Sequence, residues 1–432
     1  MDCLHGSDRI YRDIPRAAMS LLQRSIAVPK RLIPARAMEM PRRAPYRTRE
    51  RIGRKAALHD NRAHGSGEEP FAGQGVTAQP SGKLISLEIG RFFAAASVLF
   101  YHYTSLIQDY GGVIVLDDIF RPGHAGVPYF FVLSGFIIAF AHRRDVGRRG
   151  RIGPFLIRRA IRLYPMFLLI SAVMLAGFLL VPSLGGERVL TPAGLAADLL
   201  LLPHADAILS ISWSLRHEVL FYLLFCAIIA WGWRAALLIA AWGLGSFAAS
   251  LLPAFEGAAV KLGSTSLLLS PLNLGFPLGL GVGWLVLSGR AIPFPRLMAG
   301  AGGALLALLW LLEWHIGKGT AHALSVLGPW GDLGYLAASA LLIAGLVALE
   351  PARAWRWERL WTIVGGASYT LYLLHQPLGS VLVRLLRPLV GAAPLTAWLL
   401  ASLAAIITAV AVHLTIEKWM LRTLRPLGRS RA

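Results

Sequence analysis

Five short stretches carry polar side chains inside apolar surroundings, at spacings that could support chemistry. In "EIGRFFAAASVLFYHY", Arg91 and His102 stand eleven residues apart. On a helix that spacing returns them to within about 20° of one face and separates them by roughly 16 Å along the axis. "IRRAIRLYPMF" sets Arg159 and Arg162 one turn apart, so two guanidiniums can grip a phosphate group from one side. Ordinary cytoplasmic basic charge accounts for the same spacing. "SWSLRHEVLFYLLF" contributes Trp213 and Glu218. A carboxylate beside an imidazole is the pairing that general acid–base catalysis uses, the imidazole taking a proton and the carboxylate orienting it. A structural pair between Glu218 and Arg216 or His217 is the alternative. "SYTLYLLHQPL" places Tyr369, Tyr372 and His375 on one helix face ahead of Pro377. There they can serve substrate or satisfy backbone groups freed by the proline. In "GVPYFFVLSGFII", Gly126, Ser134 and Gly135 interrupt an aromatic run, a pattern suited to close helix packing, with Ser134 as a substrate or structural residue.

The elements that must position these residues cross a membrane. The chain has 432 residues, 56% hydrophobic and 15% charged, well outside the soluble range. A charged group at mid-bilayer costs about 2.5–3.5 kcal/mol on insertion scales, so such groups face the bundle interior and mark sites. Segments long enough to span lie near 86–106, 124–141, 164–182, 215–232, 235–252, 267–288, 297–316, 333–349, 361–383 and 395–416. Basic connections such as "HRRDVGRRGRIGPFLIRRAIR", "SGRAIPFPR" and "EPARAWRWER", and the tail "EKWMLRTLRPLGRSRA", alternate with loops of weaker charge. The positive-inside rule puts the basic set and both termini in the cytoplasm, with "RLLRPL" at 384–389 as the exception. The net charge of +20 is explained by this distribution and requires no nucleic acid. Cys3 and Cys226 are too few and too far apart for a disulfide framework or a thiolate metal site, and no metal is expected. The expected fold is an all-α polytopic bundle of about ten transmembrane helices. Residues 1–83 form a basic tail of disordered composition, 84–422 the membrane domain and 423–432 a basic C-terminal tail.

In order along the chain, Arg91-x10-His102, "GVPYFFVLSGF", "RRAIRLYP", "WSLRHEVLFY" and "SYTLYLLHQP" resemble the integral-membrane acyltransferase 3 family. Each motif is weak alone, and the five in sequence are specific over about Leu84 to Arg422. The resemblance implies transfer of an acyl group, usually acetyl, from coenzyme A to a sugar hydroxyl. The acceptor would be an exopolysaccharide, a lipopolysaccharide or a lipid-linked glycan at the bacterial inner membrane. Acetyl-CoA would be a co-substrate, with no permanently bound cofactor. His102 matches the family's proposed catalytic histidine, Arg91 its first-helix arginine, and Arg159 and Arg162 its "RxxRxxP" arginines. Two departures stand out. Glu88 occupies a position that is often Asp, and "WSLRHEVLFY" replaces the commoner "WSLSVEEQFY", a variant seen in the exopolysaccharide-acetylating branch. No SGNH-type hydrolase domain follows the last span, so the membrane unit or a separate partner is expected to complete the transfer.

The expected geometry sets His102, Glu218 and His375 near the external side and Arg91, Arg159 and Arg162 about half a bilayer away. The arginines would hold the donor's phosphates while its pantetheine arm reaches His102. His102 would act as general base or accept the acyl group itself, with Glu218 fixing its tautomer. The rival reading is a transporter or flippase of a lipid-linked sugar, which would favour paired halves with broken helices at matching positions, a symmetry not seen here. Nothing in the residues specifies an oligomeric state.

Overall fold

The structure, a computed structural model, describes residues 84–181, 188–204, 207–252, 264–318, 325–350 and 355–428. The leading segment 1–83 lies outside them, as do residues 429–432 of the expected C-terminal tail. The described residues form helices and connections, without a strand. In chain order the α-helices are α1 (Ile85–Gly111), α2 (Gly126–Ala141), α3 (Ile152–Leu180), α4 (Pro192–Leu199), α5 (Ser212–Trp231), α6 (Ala235–Ser250), α7 (Ser264–Leu269) and α8 (Gly275–Leu287). They continue as α9 (Pro295–Gly317), α10 (Gly328–Ala348), α11 (Glu358–Gly366), α12 (Ser368–Leu385), α13 (Arg387–Ala392), α14 (Pro394–Val412) and α15 (Lys418–Leu424). The expected spans fall largely on helical stretches, but 267–288 is divided among α7, a 3-10 turn at Pro271–Leu274 and α8, 361–383 is divided between α11 and α12, and residue 182 of the third lies outside the described residues. Among the described residues six helices are long and apolar enough to cross a membrane: Arg121–Ala141, Arg149–Leu180, Ser212–Trp231, Pro295–Gly317, Gly328–Ala348 and Pro394–Gly428. Ala235–Ser250 and Pro271–Leu287 are apolar but shorter.

α1 packs against α2, α11, α12 and α14, which makes it the axis of the site. It ends where Gly112 turns into the left-handed region at φ 65° and its N–H closes on the Gln108 carbonyl at 2.8 Å. α2 lies against α8 with backbones almost touching. A Cβ on Gly135 would stand 2.2 Å from the Phe276 carbonyl oxygen, and one on Gly279 only 2.0 Å from that of Val132. Of the small residues read from the sequence as packing residues, Gly135 lets α2 meet α8, whereas Gly126 lets it approach α1, where an added Cβ would stand 2.2 Å from the Ala94 carbonyl oxygen.

α3 differs from its expected extent. Its apolar stretch begins near residue 164, yet the helix begins at Ile152 and runs for 29 residues. Arg159 and Arg162 stand roughly 10 and 15 Å along it at 1.5 Å per residue. Pro165 lies inside the helix. An apolarity window ends at a cluster of arginines, whereas a helix whose arginines face other protein does not. α14 also continues past its expected end, through a π-helical turn at His413–Glu417 into α15 and a 3-10 turn at Arg425–Gly428.

Candidate active site

Helices α1, α2, α3, α5 and α12 enclose a cavity of about 210 Å³. Arg91, Arg159, Arg162, Ser134, Glu218, Tyr369 and Tyr372 all line it, together with Ser214, Tyr222 and Ser368. Most of the predicted site residues, spread over nearly 300 positions of sequence, therefore share one space. Its apolar wall includes Val127, Phe130, Leu133 and Ile137. The charged groups in the lining are three arginines and one carboxylate, Glu218, while Glu88 and Glu417, which pair with Arg91 and Arg162, are not part of that lining.

The arginines are held in three different ways. Arg91 Nη1 approaches Glu88 Oε2 at 3.4 Å, one turn back on α1, a loose ion pair. Arg159 donates from Nη2 to Nε2 of His142 at 2.6 Å, and the Nδ1–H of that imidazole donates to Asp145 Oδ2 at 2.8 Å. Because Nε2 accepts, His142 is neutral, so this partner of Arg159 brings no negative charge of its own. Its guanidinium carbon also stands 5.8 Å from the ring centres of Phe155 and Tyr222. Arg162 instead pairs with a carboxylate, Glu417, and its guanidinium carbon stands 5.4 Å from the Tyr369 ring centre. Tyr369 is fixed in turn by donating its hydroxyl to the Leu163 carbonyl at 2.6 Å.

Glu218 departs from its expected surroundings. Depth counting sets it beside His102 and half a bilayer from the arginines. In the structure it lines the arginine cavity, where the charges of Arg159 and Arg162 act on it. The reason lies in α3, whose arginines stand well inside the bundle and so rise to meet the second turn of α5. Glu218 Oε1 accepts from Ser134 Oγ at 2.9 Å, and Tyr222 supplies a further hydrogen bond. Ser134 thereby has a partner that links α2 to α5. The neighbours proposed as structural partners of Glu218 are engaged elsewhere. Arg216 donates to the His204 carbonyl at 3.0 Å and faces Asp198 at 3.6 Å, while His217 Nδ1 meets Asn273 Oδ1 at 2.9 Å.

The two histidines sit beyond Tyr372 and are not among the residues lining the cavity. Tyr372 joins the two regions. Its hydroxyl is 2.6 Å from Ser214 Oγ on α5, and its ring centre is 5.6 Å from that of His375. His375 is buried, with its ring centre 5.0 Å from that of His102. Its Nδ1 is 2.6 Å from the Tyr372 carbonyl oxygen. A carbonyl only accepts, so Nδ1 carries a proton, and Nε2 is buried with no hydrogen-bond partner among the described residues. Trp213 packs edge-on to His217, with ring centres 5.8 Å apart, and also lies outside the cavity lining.

Sequence reading passed over Glu417, Tyr222 and His142. Glu417 follows the last apolar span directly and reads as the start of a cytoplasmic tail. The rule that flagged Glu218, a carboxylate adjoining apolar helix, would have found it. His142 hides at the head of a loop dense in arginine. Tyr222 carries no such signal, since aromatic residues are common in apolar helices.

The family description "acyltransferase domain" matches residues 84–414, from the start of α1 to the π turn that follows α14. The exopolysaccharide production protein ExoZ of Rhizobium meliloti (strain 1021) is 31% identical over 325 residues, which span 72% of this chain and 92% of that protein. No solved structure matches. With the motif residues of five helices gathered at one cavity and the family match running across all of them, the chain belongs to the acyltransferase 3 family of membrane acyltransferases.

Proposed function

We propose that the protein transfers an acetyl group from acetyl-CoA, bound from the cytoplasmic side, to a sugar hydroxyl of an exopolysaccharide or its lipid-linked precursor. The observation that carries this reading is the cavity in which Arg91, Arg159 and Arg162 converge within a chain of the acyltransferase family. The similarity to an exopolysaccharide production protein supports the acceptor class. All ten apolar segments cross the bacterial inner membrane in this proposal, with both termini in the cytoplasm.

Arg159 and Arg162, with Arg91 beside them, hold the phosphates of the nucleotide head by charge-assisted hydrogen bonds. The pantetheine arm follows the apolar wall towards Tyr372. A ring nitrogen of His102 then takes the proton of the acceptor hydroxyl as that oxygen attacks the thioester carbonyl carbon. When the tetrahedral intermediate collapses, the C–S bond breaks and the departing thiolate takes the proton from the imidazolium. The products are an acetyl ester and free coenzyme A. Glu218 acts in the cavity, tying Ser134 and Tyr222 in place and tempering the arginine charge.

The test is release of the coenzyme A thiol by membranes containing the protein, given acetyl-CoA and de-acetylated exopolysaccharide. His102→Ala should abolish release while leaving the thermal unfolding temperature of the purified protein in place. Full transfer by that variant would remove His102 from the chemistry. A wild-type protein that moves labelled lipid-linked sugar across vesicles without releasing thiol would replace the acyltransferase reading with a flippase.

A further inference from the structure

A second polar cluster lies behind the cavity wall. It is built where α14 widens into the π-helical turn His413–Glu417. Such turns carry one residue more than an α-helical turn and recur at functional sites. Glu417 is 1% exposed, and both of its oxygens are engaged. Oε1 accepts from Nη1 of Arg162 on α3. Oε2 accepts from Thr370 Oγ1 on α12 at 2.6 Å and from His413 Nδ1 within the π turn at 2.6 Å. Thr370 is wholly buried and His413 nearly so. The carboxylate is thus clamped from three elements, and it clamps one edge of a guanidinium that also lines the cavity. A guanidinium is planar with five donors in a rigid fork, so fixing one edge fixes the direction of the others. Without Glu417, Arg162 would be a long side chain free to choose among rotamers.

We propose that Glu417 is a positioning residue for the donor site: it aims the Arg162 guanidinium at a phosphate of the nucleotide head, with Thr370 and His413 holding the carboxylate in place. The inference rests on the reading of Arg159 and Arg162 as the phosphate-binding pair. It also makes the two arginines unequal. Arg159 faces a neutral imidazole and supplies charge, whereas Arg162 is paired with a carboxylate and supplies direction.

The experiment measures KM for acetyl-CoA and kcat, by thiol release, in the full-length protein in membranes. Glu417→Gln keeps the volume and removes the charge. It should raise KM for acetyl-CoA about tenfold, the size of one lost charge-assisted contact, with kcat changed much less. Thr370→Val should raise it less, in the same direction. Combined with Arg162→Ala, Glu417→Gln should add nothing further, whereas combined with Arg159→Ala the two effects should multiply. A Glu417 that served only the fold would lower the unfolding temperature and kcat and leave KM for the donor in place, and that result overturns the proposal. So does multiplication with Arg162→Ala. Should Glu417→Gln not accumulate, Thr370→Val decides alone, and an unchanged KM there counts against the proposal. If Arg159→Ala and Arg162→Ala themselves leave KM unchanged, the donor-site reading falls first, an outcome distinct from failure of the positioning role.

Discussion

His142 stands one residue past α2 and is faced by the guanidiniums of Arg159 and Arg158 and by the carboxylate of Asp145. Asp145 is shared, since Arg158 Nη2 reaches the same oxygen at 3.0 Å. Burial holds the imidazole down to about 4, the Arg159 charge adds to the depression, and the hydrogen bond to Asp145 opposes it. In an unfolded chain the same ring takes its proton near 6.5. Between those two values the unfolded state binds more protons than the folded one, so stability rises with pH across the window. The contribution is complete above pH 6.5 and is lost as acidification proceeds towards 4. Arg159 loses its acceptor at the same protonation. Unfolding temperatures of the purified protein should therefore fall between pH 7 and pH 5, and the fall should be shallower in His142→Gln. Parallel curves for the two proteins would show that His142 is not the group responsible. The sequence hides this residue because its partners come from the loop and from α3. A histidine at the head of "HRRDVGRRGRIG" has no periodic neighbour that reveals a guanidinium donating to its Nε2.

Helices meet where side chains are smallest, and here that rule was open to a reader of residues alone. Gly135 allows α2 to lie on α8, and its neighbour Ser134 holds Glu218. An added methyl at Gly135 would face a backbone carbonyl at 2.2 Å, a contact that no rotamer change relieves, so the helices themselves must part. Overpacking of this kind costs about 1–3 kcal/mol. Gly135→Ala should lower the unfolding temperature and also slow thiol release, because any shift of α2 carries Ser134 with it. Gly281→Ala, in the same helix pair but with nothing within 4 Å of the new methyl, serves as the control and should change neither. If Gly135→Ala behaves like Gly281→Ala, the close approach of α2 and α8 is not what sets the cavity wall. The start of α3 was less legible for a physical reason. Hydropathy measures affinity for lipid, and Arg158, Arg159 and Arg162 depress it whether they face water or a protein cavity. Packing against α5, α12 and α15 settles the matter, and those contacts are long-range in sequence. The π turn is equally silent, since "HLTIE" reads as helix in any register and only the clamp on Glu417 marks the extra residue.

At the scale of the whole molecule, the helical fold of the described residues follows from composition, whereas the gathering of residues from five motifs at one cavity does not follow from their order. Arginines sit on α1 and α3, Ser134 on α2, a carboxylate on α5 and tyrosines on α12, so the cavity exists only when five separate helices dock at the right heights. The assembled site has a direction. Its charged lining comes from the ends of α1 and α3 that adjoin Glu88 and the basic loop before α3, the side that charge asymmetry assigns to the cytoplasm. A nucleotide bearing several phosphates does not cross lipid, so the side from which it can enter reports the orientation of the protein. Sealed inside-out vesicles supplied with acetyl-CoA should release thiol at once. Sealed right-side-out vesicles should be silent until permeabilised, and Arg159→Ala should raise the acetyl-CoA concentration needed in both preparations once they are open. Thiol release by sealed right-side-out vesicles at the rate of permeabilised ones would mean that the donor enters from outside, and would reverse the orientation derived from the basic loops.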